Sequence, residues 1–131
     1  MRNTCCVSAD GEGPLLYLSG PMTGYPDWNR AAFAQAAAAL RAVGYRVWSP
    51  GEHVVEGQTW AEAMRGDCHA LCVCDGVAFL KGWIGSRGAQ IEVRLAMELE
   101  LPVRSWSQWL EHQGRLTDAP GCDASVFEKA L

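Results

Sequence analysis

The sequence predicts an α/β fold of the flavodoxin or Rossmann-like kind: a three-layer sandwich with a mainly parallel sheet of four to five strands and helices on both faces. Three observations predict it. Short apolar runs, LLYL and GVAFL foremost, are ended by Gly, Pro or charged residues and suit strands buried on both faces. Helical stretches separate them, in the order strand, helix, strand, helix, strand, helix, strand, which is how a parallel sheet is wound. At 131 residues and 49 % hydrophobic content, the chain can build one core and is too short for two ordinary domains. Residues 1–13 are expected to be disordered and residues 14–131 to form a single domain.

The elements follow in order. LLYL is the first strand, closed by the turn GPMTG. Asp27 or Asn29 can cap the helix that follows, in which AAFAQAAAALRAVG puts Phe33, Ala36, Ala37, Leu40 and Val43 on one side and ends at Gly44. YRVWSP is a second strand stopped by Pro50. Thr59 and Glu62 form a T-x-x-E capping box, which starts a second helix over residues 60–71 or a little beyond. DGVAFL is the third strand and KGWIGSRG the turn after it. Ser86 is the N-cap of a third helix through AQIEVRLAMELE, and PVRSW is a fourth strand. SQWLEHQG and ASVFEKAL read as helical pieces separated by a Gly/Pro/Asp loop.

Charge and composition narrow the function. A net charge of −4 gives no basic field to attract duplex nucleic acid, so a small molecule is the expected partner. No window holds the roughly 18 consecutive apolar residues of a membrane span, and MRNTCCVSADGEG lacks the basic-then-apolar order of a secretion signal, so a cytoplasmic protein without membrane contact is expected. Six cysteines include the cluster Cys68, Cys72 and Cys74, whose C-x3-C-x-C spacing matches no common zinc pattern. They read as free thiols in a reducing compartment, and nothing calls for a metal or a cofactor.

Sheets of this kind bind ligands beyond the carboxyl ends of their strands, where the strand order reverses. That rule singles out the loops GPMTG, SPGEH and GWIGSRG. Glycines in the first and third allow backbone N–H groups to face an anion, although a tight turn alone would also require them. Ser86, at a helix start, offers unpaired N–H groups to phosphate or carboxylate, or simply caps. Glu92 lies six residues further, roughly 9 Å along a helix. Asp75, at the mouth of the third strand, is either a turn residue or a carboxylate aimed into the crevice.

YLSGPMTG, NRAAFAQAAAALRAVGYRVWSP, DCHALCVCDGVAFLKGW and GSRGAQIEVRLAMEL together resemble the nucleoside 2-deoxyribosyltransferase-like superfamily, most closely a small phage-type branch, over about residues 14–104. The resemblance implies a homodimer or higher homo-oligomer acting on the N-glycosidic bond of a nucleoside or nucleotide. Carried over, it makes Glu92 the nucleophile, Tyr17 its orienting tyrosine and Asp75 the group that neutralises the leaving base. Ser86 stands where the nucleoside 5'-monophosphate N-glycosidases have a phosphate-binding serine and the nucleoside transferases an aspartate, which favours a 5'-nucleotide. Gly20, Pro21, Met22, Thr23, Gly24, Arg87 and Gly88 would line the phosphate side; because GPMTG has no basic residue, backbone N–H groups, Thr23 or Arg87 would hold the anion. SPGEH resembles the hydrolases' EH and would put Glu52 or His53 near the base. Trp83, in a site loop, is the candidate for base stacking, with packing as the other reading. A binding module with the same pocket and no turnover is the alternative function.

The implied chemistry is that of a retaining glycosidase: Glu92 attacks the anomeric carbon, and water or a second base resolves the glycosyl ester. Rival uses of such a sheet fit less well. The segment from Tyr17 to Gly24 has no acid, as a phospho-relay receiver would need, and GPMTG is poorer in Ser and Thr than a flavin loop.

Overall fold

A computed structural model describes residues 13–116 and 121–122. The chain forms β1 (Leu15–Ser19), α1 (Arg30–Ala42), β2 (Arg46–Trp48), α2 (Trp60–Cys72), β3 (Gly76–Phe79), α3 (Arg87–Glu98), β4 (Pro102–Ser105), α4 (Trp106–Glu111) and β5 (Gly121–Cys122). The five strands pair in parallel in the order β2-β1-β3-β4-β5, so the direction of winding reverses between β1 and β3. The expected α/β sandwich is what forms. β5 comes from the stretch read as loop, because two residues are too few to carry a period. The expected disorder of residues 1–13 falls, except for Gly13, outside the described residues, as does the helix read in ASVFEKAL.

The alternation of β1 divides the core. Leu16 and Leu18 face Phe33, Ala36, Ala37 and Leu40 of α1 and Trp109 of α4. Tyr17 faces the other way, among Ala70 and Leu71 of α2 and Ala89, Val93 and Ala96 of α3. β1 and β3 are buried on both faces, which is why their sequences are continuously apolar rather than alternating.

Local signals start the helices. Thr59 Oγ1 accepts from Glu62 N at 3.0 Å while Thr59 N donates to Glu62 Oε1 at 2.9 Å, the reciprocal box that opens α2. Ser86 Oγ accepts from Ala89 N at 3.2 Å and opens α3. The expected cap of α1 differs: neither Asp27 nor Asn29 caps it with a side-chain hydrogen bond. Asp27, Trp28 and Asn29 instead run through left-handed backbone (φ 50, 57 and 62°), and Asn29 Nδ2 donates to Pro21 O at 2.9 Å, tying the helix entry back to the GPMTG turn.

Gly20 is required by close approach. A Cβ there would lie 2.8 Å from Leu80 Cβ, because the chain leaving β1 runs close beside the chain leaving β3, where Leu80 N donates to Ser19 O at 2.8 Å. The switch point therefore opens onto two strand ends held side by side.

Candidate active site

The site is assembled from β1 upward. Tyr17 and Ser19 are two residues apart and so share one face of the strand, the face covered by α2 and α3. On α3, Ala89, Glu92, Val93 and Ala96 form the buried stripe, and Glu92 is thereby driven against β1 at 4 % exposure. Tyr17 donates its phenolic hydrogen to Glu92 Oε2 at 2.8 Å, and Ser19 donates to Glu92 Oε1 at 2.7 Å. Both carboxylate oxygens thus have a hydroxyl partner.

Burial holds the Glu92 carboxyl up at about 8, against the lowering effect of its two hydroxyl donors and with a further rise from the charge of Asp67. Tyr17, buried and facing the same carboxylate, keeps its proton well above the usual phenol range. Asp67, half-buried on α2, is raised to about 6 by burial, with His53 pulling it down. Two carboxyl groups, Glu92 and an Asp67 whose charge raises it, lie at this end of the sheet, beside a tyrosine that stays neutral.

A ring stack runs outward from Tyr17. Its ring lies 5.4 Å from Trp48 at 12°, and Trp48 lies 4.2 Å from His53 at 3°. His53 is exposed at the outer end of that stack, near Asp67. Glu52 is turned away: it accepts from Arg41 Nη1 and Nη2, both at 2.9 Å, and Arg41 also donates to Val47 O.

The phosphate-side residues occupy the two loops at the switch point. Gly20 abuts Leu80; Pro21 O accepts from Asn29; Met22 packs partly buried against the α1 core; Thr23 and Gly24 are exposed. Gly82, in left-handed backbone in the third-strand loop, would meet Tyr25 Oη at 3.1 Å with any Cβ, so the two loops are in touch. Arg87 lies with its guanidinium 4.0 Å from the centre of the Trp60 ring, and a Cβ at Gly88 would sit 3.1 Å from Met64 Sδ; these contacts join the starts of α2 and α3.

Two expectations are corrected by position. Asp75 does not reach this site. It is level with Leu15 at the amino end of β1, where its carboxylate accepts from Leu15 N at 2.9 Å and its own N–H donates to Leu15 O at 2.7 Å. Four strand residues, roughly 13 Å, separate that level from Ser19. Asp75 is 2 % exposed and supplies the partner of an otherwise unpaired strand-end N–H. Asp75→Ala is expected to lower stability by about 1–3 kcal/mol, read by chemical denaturation. Trp83 is likewise 5 % exposed and packs on Phe79 at 5.4 Å, which makes it a core residue rather than a stacking platform.

Two residues not named from the sequence belong to the site. Asp67 lies three and four residues before the buried Ala70 and Leu71, so it is a carboxylate on the buried face of an amphipathic helix. Ser19 is the polar residue ending an apolar strand on the face of Tyr17. Both signals were present in the pattern. Of the cysteines, Cys74 is buried with its thiol pushed up to about 12 by burial and the charge of Asp75, Cys68 is half-buried and Cys72 exposed. Among the described residues no three His, Cys, Asp or Glu side chains converge as a metal site, and no helix is long and apolar enough to cross a membrane.

A parallel sheet wound 2-1-3-4-5, with its switch point between β1 and β3, is a flavodoxin-like, Rossmann-like α/β fold, and a nucleoside-handling enzyme shares it. The 2-deoxyribosyltransferase of Bacillus psychrosaccharolyticus, described as a biocatalyst for nucleoside synthesis, superposes with a TM-score of 0.55 and 21 % identity over 68 % of this chain and 69 % of its own. The chain belongs to the family defined by a domain of unknown function (DUF4406), which matches residues 14–105. No curated protein matches it in sequence.

Proposed function

We propose that the protein cleaves or transfers the N-glycosidic bond of a nucleoside or nucleoside 5'-monophosphate, as a member of a small phage-type branch of the deoxyribosyltransferase-like enzymes. One observation carries the reading: Glu92 is buried at the switch point with each carboxylate oxygen on a hydroxyl. A glutamate with that support is oriented for in-line attack, whereas a structural glutamate would be expected to meet a cation.

In the reaction, a Glu92 oxygen bonds to the anomeric carbon as the bond to the base breaks, and the bonding electron pair leaves with the base nitrogen. The proton that neutralises it comes from Asp67, which takes the role first assigned to Asp75. Water or a second base then displaces Glu92 from the sugar. Tyr17 and Ser19 hold the carboxylate through both steps, and His53, stacked on Trp48 next to Asp67, lies on the base side.

Between about pH 6 and about 8 the Glu92 and Asp67 pair holds one proton. In that state the proton rests mainly on Glu92, the weaker acid, and the productive arrangement, Glu92 ionised and Asp67 protonated, is its minor tautomer; both tautomers share the one-proton window, so turnover peaks between those limits. Asp67→Asn is expected to lower base release by about 10²- to 10⁴-fold. It should also convert the bell-shaped pH–rate profile into a single rise; an unchanged alkaline limb would remove Asp67 from the acid role.

Ser86, Arg87 and the backbone N–H groups of GPMTG are the groups this reading gives to the 5'-phosphate. A homodimer or larger assembly in the cytoplasm completes it, and light scattering on the purified protein tests the assembly. The deciding experiment incubates the protein with nucleosides and their 5'-monophosphates and follows free base by chromatography. Release from monophosphates alone supports the phosphate role of Ser86. No release from any substrate, together with tight nucleotide binding, replaces the enzyme by a binding module.

A further inference from the structure

Ser19 is 0 % exposed, and its hydroxyl makes a short hydrogen bond, 2.7 Å to Glu92 Oε1. Strand geometry leaves it little freedom. Its carbonyl accepts Leu80 N at 2.8 Å, it is in register with Phe79, and it ends the strand that presents Tyr17 on the same face. Tyr17 reaches the other oxygen through a long ring side chain; Ser19 reaches Oε1 directly from the strand.

One donor to a carboxylate leaves it free to rotate about its last side-chain bond. Two donors, one per oxygen and from different distances along β1, fix the carboxylate plane and with it the direction of the remaining lone pairs. We propose that Ser19 is a positioning residue for Glu92, one that locks the plane of the nucleophile and favours its ionised form. This inference rests on the glycosidic reading of the site for its kinetic consequence, and on geometry alone for its effect on Glu92.

The other groups facing Glu92 do not supply this function. Tyr17 from β1 is the second donor; Asp67 and Cys68 from α2 lie close enough for Glu92 to be felt, and an anion at either opposes ionisation. β3 and the turn after it contribute the rings of Phe79 and Trp83, which pack on one another, while on β4 Val103 faces this side. Among the described residues, Ser19 and Tyr17 are the donors to the carboxylate.

The test titrates Glu92 directly in the full-length protein carrying 13C-labelled glutamate, using the side-chain carboxyl resonance that Glu92→Gln removes. In Ser19→Ala the midpoint is expected to move up by about one pH unit, a tenfold weaker acid. Ser19→Cys, of similar size and with a weaker donor, should fall between. If both variants fold and titrate as the parent does, the proposal is overturned whatever the enzyme's substrate. Once a substrate is known, Ser19→Ala should lower kcat about 10- to 100-fold with KM unchanged; a change in KM alone would make Ser19 a substrate contact rather than a positioning residue. A protein that releases no base but shows the shifted titration would separate failure of the glycosidic reading from failure of this one.

Discussion

Replacing Glu92 by Gln is expected to reduce base release by at least about a thousandfold, with nucleotide binding retained. The size follows from chemistry rather than from contact counting. The amide keeps the shape and one acceptor for the hydroxyls of Tyr17 and Ser19, yet it cannot form a glycosyl ester, so the covalent route is closed. A role limited to electrostatic stabilisation of an oxocarbenium-like centre would leave a much larger residue of activity. The measurement is chromatographic release of free base by wild type and variant at matched folding, judged by circular dichroism. Mass spectrometry of the quenched wild-type enzyme should in addition find sugar attached to the peptide containing Glu92. Release undiminished in Glu92→Gln would show that another group attacks or that water does so unaided.

The framework of this protein was legible in its sequence because each signal was local. Leu15 to Leu18 carry no charged or amide side chain, as a doubly covered strand requires, and the Thr59 and Glu62 box and the Ser86 cap sit where the helices start. The entry to α1 was misread for the opposite reason. Asn29 has the right side chain for a cap, but the left-handed run through Asp27, Trp28 and Asn29 aims it at Pro21 O, a contact between segments that no cap rule contains.

The site was legible where a side chain's role follows from its own element and obscure where it depends on which end of a strand is which. Glu92 shares the stripe of Ala89, Val93 and Ala96, so its burial was written in the helix period even though an isolated helix glutamate is usually solvated. Position alone left Asp75 as either a turn residue or a crevice carboxylate, and the family resemblance gave it the site role. In a parallel sheet every strand start lies at the amino end, so a residue that opens β3 faces away from the ligand side. The carboxylate whose charge does act on Glu92, Asp67, lies on α2, a turn before the buried Ala70 and Leu71. Trp83 misled similarly: a loop position near the site suggested a stacking surface, while packing on Phe79 uses the ring as core.

Stability should fall as pH rises from about 5 to about 8, and Glu92 should be the main cause above pH 6. The sign follows from proton counting. In the unfolded chain Glu92 has its ordinary value of 4.5, whereas in the folded protein it holds its proton up to about 8. Through that window the folded state binds more protons than the unfolded one, so the free energy of unfolding decreases with pH. Each unit corresponds to about 1.4 kcal/mol, and the whole shift to on the order of 4–5 kcal/mol for a group this buried. Asp67, raised from 3.8 to about 6, acts in the same direction over the lower part of the range. Glu92→Gln carries no titrating group, so its stability should be nearly flat from pH 6 to 8 and should exceed that of wild type at pH 8. Urea denaturation of both proteins across this range measures the difference. Parallel curves for the two would mean that Glu92 is already ionised in the folded state at pH 6. On the glycosidic reading this cost has a use, since forming the glycosyl ester would remove the buried charge from Glu92 and release the free energy that its ionisation stores.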